Sequence, residues 1–194
     1  APGDLDAKLG LWGAYMPLGT ALALLAGPWV LPLAGWPGWW WLLAAVTLAM
    51  AGWVRAVVPA DPPRSATASG WGSRLRRTLA LPGPRLVGLC FGLYAGQWLA
   101  VVGFLPTVYA QARVPAATAG ALTALAAGVN IIGNVVAGRL LRRGVPPPRL
   151  LRFGYVAMAL GAAGAFLPSL DIGPVGRYAA VLVFSMLGGM IPAT

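Results

Sequence analysis

The chain has 194 residues, of which 59% are hydrophobic and only 9% are charged. Since a soluble domain carries about 25% charged residues, this composition excludes an ordinary soluble protein and predicts an integral membrane protein. The formal net charge of +10 would suit a nucleic-acid partner, but the basic residues lie in short loops between apolar segments. That distribution is typical of membrane topology, so we expect membrane lipids and no nucleic acid among the partners.

Side chains for catalysis and metal binding are scarce in this sequence. Histidine is absent, and Cys90 is the single cysteine. The composition therefore removes Ser/His and Cys/His catalysis, intrachain disulfides and His-ligated metal sites. Ser185 is the only serine within a long apolar segment, and it has no base beside it. We expect no enzyme activity, no metal and no cofactor.

Six apolar segments are candidates for transmembrane helices. A span needs about 20 apolar residues to cross a hydrocarbon core about 30 Å thick. None of the six alternates with a period of two, as the strands of a membrane β-barrel do. The predicted class is therefore an all-α membrane protein with six transmembrane helices. In chain order, the predicted spans are 11–33, 39–58, 86–110, 116–140, 153–168 and 178–194.

Three connections between these spans carry recognisable signals. A tight turn at 34–38 is expected between the first two spans, and its tryptophans are typical of anchors at the membrane interface. A basic linker rich in Pro and Gly is predicted at 60–85, and a second basic loop at 139–152. The interfacial tryptophans are Trp36, Trp39, Trp40 and Trp41.

The distribution of Lys and Arg predicts the orientation of the spans. Of the 14 basic residues, 12 fall on the side of the two basic loops, and only Arg113 and Arg177 fall on the other. Because basic loops are retained in the cytoplasm, we expect both loops to be cytoplasmic in a multi-pass protein of the cell inner membrane.

The polar residues at membrane depth are uncharged, since no Asp, Glu, Lys or His lies within a predicted span. Asn130 and Asn134 are separated by one helical turn and share a helix face, with Thr123 two turns earlier on the same side. Two interpretations are open: these amides hydrogen-bond a substrate, or they join neighbouring helices. The candidate substrate-binding residues are Tyr15, Tyr94, Gln97, Thr123, Asn130 and Asn134.

Several motifs follow one another along the chain. They are Leu18-Gly19-Thr20, Gly27-Pro28, Gln97-Trp98-Leu99-Ala100-Val101-Val102-Gly103-Phe104-Leu105-Pro106-Thr107, Ala119-Gly120-Ala121-Leu122-Thr123, Val129-Asn130-Ile131-Ile132-Gly133-Asn134 and Gly138-Arg139-Leu140-Leu141-Arg142-Arg143-Gly144. In this order they resemble the major facilitator superfamily, and within it the bacterial permeases grouped with cyanate transporters. The first span carries the Gly-Pro pair, but Leu31 and Pro32 stand where the antiporters of the family have Gly-Gly. Arg142 stands where the family often has Asp in the loop after its eighth span.

The resemblance implies a secondary transporter of which this stretch supplies roughly spans five to ten of twelve. Residues 1–59 would then end the N-terminal bundle, 60–85 would form the cytoplasmic linker, and 86–194 would begin the C-terminal bundle. The missing helices of the same transporter would be its partners, and the stretch alone would not transport. The implied substrate is a small solute, with organic and inorganic anions as candidates, and a coupling proton is a further candidate partner. The alternative is a six-helix membrane subunit or scaffold that transports nothing.

Overall fold

The computed structural model describes residue 8, residues 11–60 and residues 70–194. Within these residues all regular secondary structure is helical. The predicted all-α class is therefore confirmed. Part of the predicted basic linker, residues 61–69 with Arg64, lies outside the described residues.

Helix α1, Tyr15–Val57, covers the first two predicted spans in one run of 43 residues. The predicted turn at 34–38 is wrong, because these residues do not form a loop. Only Gly35 departs from helical geometry, with φ 64° and ψ 175°. This backbone conformation is essentially restricted to glycine, and Pro37 then falls in the first turn of the next helical segment, where its missing N–H costs nothing. At about 1.5 Å per residue, each half of α1 is long enough to cross a bilayer.

A short helix, α2 at Trp71–Ala80, forms within the predicted basic linker. No helix was predicted within this linker. Trp71, Leu75 and Leu79 recur every four residues, a helical spacing that the surrounding charge and glycine content concealed. Only Leu81 separates α2 from the helix that follows.

The third and fourth predicted spans are observed with small shifts. Helix α3 is Pro82–Gln111, helix α4 is Ala116–Gly128 and helix α5 is Asn130–Arg142. Val129 alone separates α4 from α5, and its backbone is still right-handed helical, at φ −63° and ψ −19°. The two helices therefore act as one span with a local irregularity.

The second basic loop is much shorter than predicted. Helix α6 is Pro147–Phe166 and helix α7 is Gly173–Gly188. Arg139 and Arg142 belong to α5, and Arg149 and Arg152 to α6, so the connection contains only residues 143–146. Proline suits the first turn of a helix, which is why the Pro-rich stretch starts α6 instead of delaying it. The sixth predicted span likewise starts too late and ends too late, because α7 begins at Gly173 and gives way to turns after Gly188.

Three helical runs are long and apolar enough to cross a membrane by length and composition: α1, α3 and the α4–α5 run from Ala116 to Arg142. Helix α7 has 16 residues, about 24 Å at the usual rise, and is shorter than a typical span. The described residues fall into two compact units, one containing those up to Pro28 and those from Cys90 to Thr194, and the other Trp29–Leu89.

Helices in the first unit pack through small residues. A Cβ added at Gly133 of α5 would overlap the carbonyl oxygen of Met186 on α7, and one at Gly189 would overlap the carbonyl oxygen of Asn130. On α6, a Cβ at Gly161 would lie 2.8 Å from the Cβ of Phe184. Helices in lipid associate by such close backbone approach, since lipid removes most of the hydrophobic driving force between them. The approach of α5 to α7 positions the polar side chains described next.

Candidate functional site

Five polar and aromatic side chains from three helices meet in the first unit and form what we call the amide cluster. Tyr94 and Trp98 come from α3, Asn130 and Asn134 from α5, and Ser185 from α7. The two asparagines and the serine have no exposed surface, and the two aromatic residues are at most 5% exposed. The cluster is therefore a closed polar site within an apolar surrounding.

Asn130 is at the centre of the hydrogen bonds. Its Nδ2 donates to the carbonyl oxygen of Ser185 at 2.7 Å and to the hydroxyl of Tyr94 at 3.2 Å. The Tyr94 hydroxyl in turn lies 3.3 Å from Asn130 Oδ1, to which it can donate. Trp98 Nε1 donates to the Ser185 hydroxyl at 3.0 Å. The Asn130 amide thus connects α5 to both α3 and α7, and the bond of Trp98 to Ser185 joins α3 to α7 directly.

Among the residues that the structure describes, only the nitrogen of the Asn134 side-chain amide makes hydrogen bonds. Its Nδ2 donates to the backbone oxygen of Asn130 at 3.1 Å and to Asn130 Oδ1 at 3.0 Å. These two acceptors fix which end of the Asn134 amide is nitrogen. Asn134 Oδ1, in contrast, is buried and has no hydrogen-bond partner in the described part of the chain. Leaving a buried acceptor unpaired costs about 1–3 kcal/mol. Among the described residues, this oxygen is the one buried side-chain acceptor of the cluster that remains free to bind a donor.

Local backbone geometry places the two asparagines. Asn130 is the first residue of α5, directly after the irregularity at Val129. The amide of Ile132 donates to the Val129 carbonyl at 3.1 Å, which is a 3₁₀-type turn. Because Gly133 and Gly189 lack side chains, α5 and α7 approach closely enough for Asn130 to reach the backbone of Ser185. An irregular turn within a span is common at functional sites.

The structure brings together Tyr94, Asn130 and Asn134 of the six predicted site residues. Thr123 is fully buried, but its hydroxyl donates to the Ala119 carbonyl of its own helix at 2.7 Å. Gln97 and Tyr15 are exposed, and neither takes part in the hydrogen bonds of the cluster.

Sequence reasoning missed two members of the cluster, Trp98 and Ser185. Their hydrogen bond joins residues 87 positions apart, so it depends on how α3 packs against α7. The available signal was that Ser185 is the single serine of an apolar helix, and a hydroxyl at membrane depth needs a hydrogen-bond partner.

The chemistry of the cluster is neutral. It offers amide, hydroxyl and indole donors and the free Asn134 oxygen, and it contains no carboxylate, amine or guanidinium. Such a site can orient a small solute by hydrogen bonds. The cluster supplies no side chain that changes charge near neutral pH.

Comparison with known proteins decides the family. The profile of the Major Facilitator Superfamily matches residues 1–194, which is the whole chain. The chain belongs to the Major Facilitator Superfamily. Its members are membrane transporters. This chain is therefore a multi-pass membrane protein and belongs to a transporter of the major facilitator type. No curated protein and no solved structure gave a significant match.

The match confirms the superfamily that the motifs of the first and third to fourth spans predicted. It also agrees with the all-helical structure of the described residues and with a transporter of the major facilitator type. The narrower likeness to cyanate-type permeases, and the assignment to spans five to ten, stay predictions.

Proposed function

We propose that this chain forms part of a secondary transporter that binds a small polar solute or small anion at the amide cluster. The observation that carries the proposal is the unpaired Oδ1 of Asn134, buried beside the Asn130 amide. A buried acceptor without a partner is costly, and a solute that donates a hydrogen bond would remove that cost.

The donors and acceptors of the cluster narrow the solute class. Tyr94 and Asn130 would donate to a solute oxygen in exchange for the hydrogen bond between them, whereas Asn134 Oδ1 has no partner in the described part of the chain and can accept an O–H or N–H. The cluster contains no cationic side chain, so a densely charged inorganic anion would be held by neutral dipoles alone. A small organic anion that also carries a hydroxyl or an amide N–H fits both requirements best.

Burial of the cluster implies that binding requires a conformational change. Asn130 and Asn134 have no exposed surface, so a solute reaches them only when α3, α5 and α7 separate on one side of the membrane. Transporters with a midplane site expose it alternately to each side by rocking of helical bundles. In this proposal, residues 86–194 belong to the C-terminal bundle, 1–59 to the N-terminal one, and the basic loops face the cytoplasm of an inner membrane.

The other predicted site residues have a secondary place in the proposal. Gln97 is on the same helix as Tyr94 and is exposed, which suits a position along the solute pathway. Thr123 and Tyr15 are weaker candidates, since Thr123 bonds its own helix and Tyr15 contacts the ring of Trp12 at a centroid distance of 5.1 Å. We expect substitution of these three to affect uptake less than substitution of the asparagines.

Uptake by the complete protein in proteoliposomes tests the proposal. The panel contains small organic acids with and without a hydroxyl, inorganic anions and neutral polar solutes, each with and without a proton gradient. We expect uptake of one solute class, and a loss of about tenfold in Asn130→Ala and Asn134→Ala, since each removes about one buried hydrogen bond to the solute. Gln111→Ala is the matched control, because it removes an exposed amide at the end of α3.

Two results would contradict the proposal. Uptake of no solute above protein-free vesicles would argue against transport of this panel. Full uptake in both asparagine variants would show that the amides only join helices, and would move the binding site elsewhere. A proton-gradient dependence in the wild type would add proton coupling to the mechanism.

A further inference from the structure

We propose that α2 lies in the plane of the membrane and binds anionic lipid headgroups. The inference rests on the membrane location of the chain and is independent of the transported solute. It concerns the basic stretch between α1 and α3, to which the family match assigns no binding role.

The side chains of α2 divide into two faces. At about 100° per residue, Trp71, Leu75 and Leu79 fall within an arc of about 80°. Arg74 and Arg76 lie about 60° beyond the two edges of this arc, and Arg77 is on the opposite side. An apolar stripe with arginines along its borders is typical of helices that lie at a membrane interface, where the long side chains reach up to the headgroups.

Among the described residues of its own compact unit, Trp29–Leu89, the apolar stripe has no protein cover. No residue of α2 is buried, and Trp71, Leu75 and Leu79 are 76%, 48% and 54% exposed. A helix of 10 residues is marginal in water without tertiary contacts. Insertion of the stripe into the interface would supply the missing burial, and Trp71 would take the headgroup level that indole rings prefer.

The charge of α2 selects an anionic surface. Three of its 10 residues are arginines and none is acidic. Across the described residues, Asp171 is the single carboxylate side chain, and no ion pair joins it to these arginines. Each basic residue near an anionic bilayer strengthens binding by about fivefold. Acidic lipid headgroups are therefore the partner that the charge of α2 fits.

The junction with α3 keeps α2 next to the bilayer. Leu81 is the only residue between the two helices, and its amide bonds the Thr78 carbonyl at 3.2 Å. Arg85, in the first turns of α3, donates through Nη2 to the Ala80 carbonyl at 2.6 Å. This side chain satisfies a carbonyl that the end of α2 would leave unpaired. Because α3 is long and apolar enough to span a membrane, this short junction would place the C-terminal end of α2 near the headgroups.

Nitroxide labels on the two faces of α2 test the orientation. Leu75→Cys and Ser73→Cys are each made in a Cys90→Ser background, since their side chains point about 160° apart. The complete protein is reconstituted in phosphatidylcholine vesicles with or without 30% phosphatidylglycerol, and collisions with oxygen and with a water-soluble nickel chelate are compared. With phosphatidylglycerol, we expect the oxygen-to-nickel ratio to be at least fivefold higher at Leu75 than at Ser73.

Substitution of the charges tests the lipid selectivity. In the Leu75→Cys protein, phosphatidylglycerol should raise the oxygen-to-nickel ratio. This increase should disappear in the triple variant Arg74→Gln, Arg76→Gln and Arg77→Gln. The matched triple variant Arg142→Gln, Arg143→Gln and Arg149→Gln should retain it, because those arginines lie outside α2. High salt should weaken the effect in the unsubstituted protein, since it screens exposed charges.

Three outcomes would overturn the proposal. Equal ratios at the two labels in vesicles with phosphatidylglycerol would show that α2 is in water. Protection of the Leu75 label from both oxygen and nickel would show that protein covers the stripe. The same oxygen-to-nickel ratio at Leu75 with and without phosphatidylglycerol would show that lipid charge does not affect how the helix binds the membrane.

Discussion

At the scale of single residues, the bond between Trp98 and Ser185 gives a direct measure of how the amide cluster joins helices. We expect a double-mutant cycle of Trp98→Phe and Ser185→Ala to give a coupling energy of about 0.6–1.5 kcal/mol, because both variants lose the same interhelical bond. Thermal unfolding in detergent would provide the four stabilities. A cycle of Trp98→Phe with Thr123→Ala is the control, since Thr123 bonds its own helix, and it should show no coupling. Equal coupling in both cycles would contradict the assignment.

Gly133 is the residue that sets the approach of α5 to α7. A Cβ there would overlap the Met186 carbonyl oxygen, and backbone cannot yield as a flexible side chain does. We expect Gly133→Ala to destabilise the protein by about 1–3 kcal/mol. In Gly92→Ala the added Cβ has open space, so that variant should be as stable as the wild type or more stable. Thermal unfolding of both variants checks the prediction, and equal melting temperatures would argue against close α5–α7 packing.

At the scale of elements, the break in α1 depends on Gly35. Its φ of 64° and ψ of 175° belong to a region that costs other residues about 1–3 kcal/mol. We expect Gly35→Ala to lose about that amount of stability. Gly52→Ala, in the same helix with open space around the added Cβ, should lose none. If thermal unfolding ranked the two variants in the reverse order, the break at Gly35 would not be a constraint on the fold.

Arg177 stabilises the end of α6 from the first turns of α7. Its guanidinium donates to the carbonyls of Ala165 at 2.9 Å, Leu167 at 3.2 Å and Leu170 at 3.0 Å. Since helix ends leave carbonyls unpaired, we expect Arg177→Gln to cost about 1–2 kcal/mol in thermal unfolding. Arg152→Gln removes an exposed arginine within α6 and should cost less than half as much. Equal stabilities of the two variants would mean that water hydrogen-bonds these carbonyls when Arg177 is absent.

The helices could be predicted from the sequence wherever a long apolar run dominated the composition. The run around Gln97 and the run from Ala116 gave spans that match α3 and α4–α5 within a few residues. Helix α2 was missed because its arginines outnumber its leucines, although its apolar residues follow a helical spacing. The ends of the basic loops were misplaced because proline was taken as a loop signal, whereas Pro147 opens a helix.

At the scale of the whole molecule, the site was predictable only in part. The pairing of Asn130 with Asn134 follows from their spacing on one helix, whereas the hydrogen bond of Tyr94 to Asn130 joins two helices and was not predicted. The contribution of Ser185 depends on the packing of α7 against α5, which no local pattern encodes. The unpaired Asn134 oxygen is likewise a product of three-dimensional packing. Superfamily membership could be predicted from the sequence, because the motifs are spread along the chain in the order of the family.

The central claim is that the Asn134 amide serves the solute more than the fold. Asn134→Leu removes the unpaired Oδ1 together with the two Nδ2 hydrogen bonds to Asn130, whose Oδ1 still accepts from Tyr94. The two lost hydrogen bonds, each worth about 1 kcal/mol, are offset by removal of an unpaired buried oxygen that costs about 1–3 kcal/mol, so we expect little change in stability. Gln111→Leu, at an exposed amide outside the cluster, is the control.

The decisive measurement is solute uptake by the complete protein carrying Asn134→Leu, normalised to folded protein and paired with its melting temperature. We predict a loss of uptake of about tenfold or more, at a melting temperature equal to that of the wild type or higher. Unchanged uptake at an unchanged melting temperature would contradict the account, because Asn134 would then be a packing residue with no role in transport.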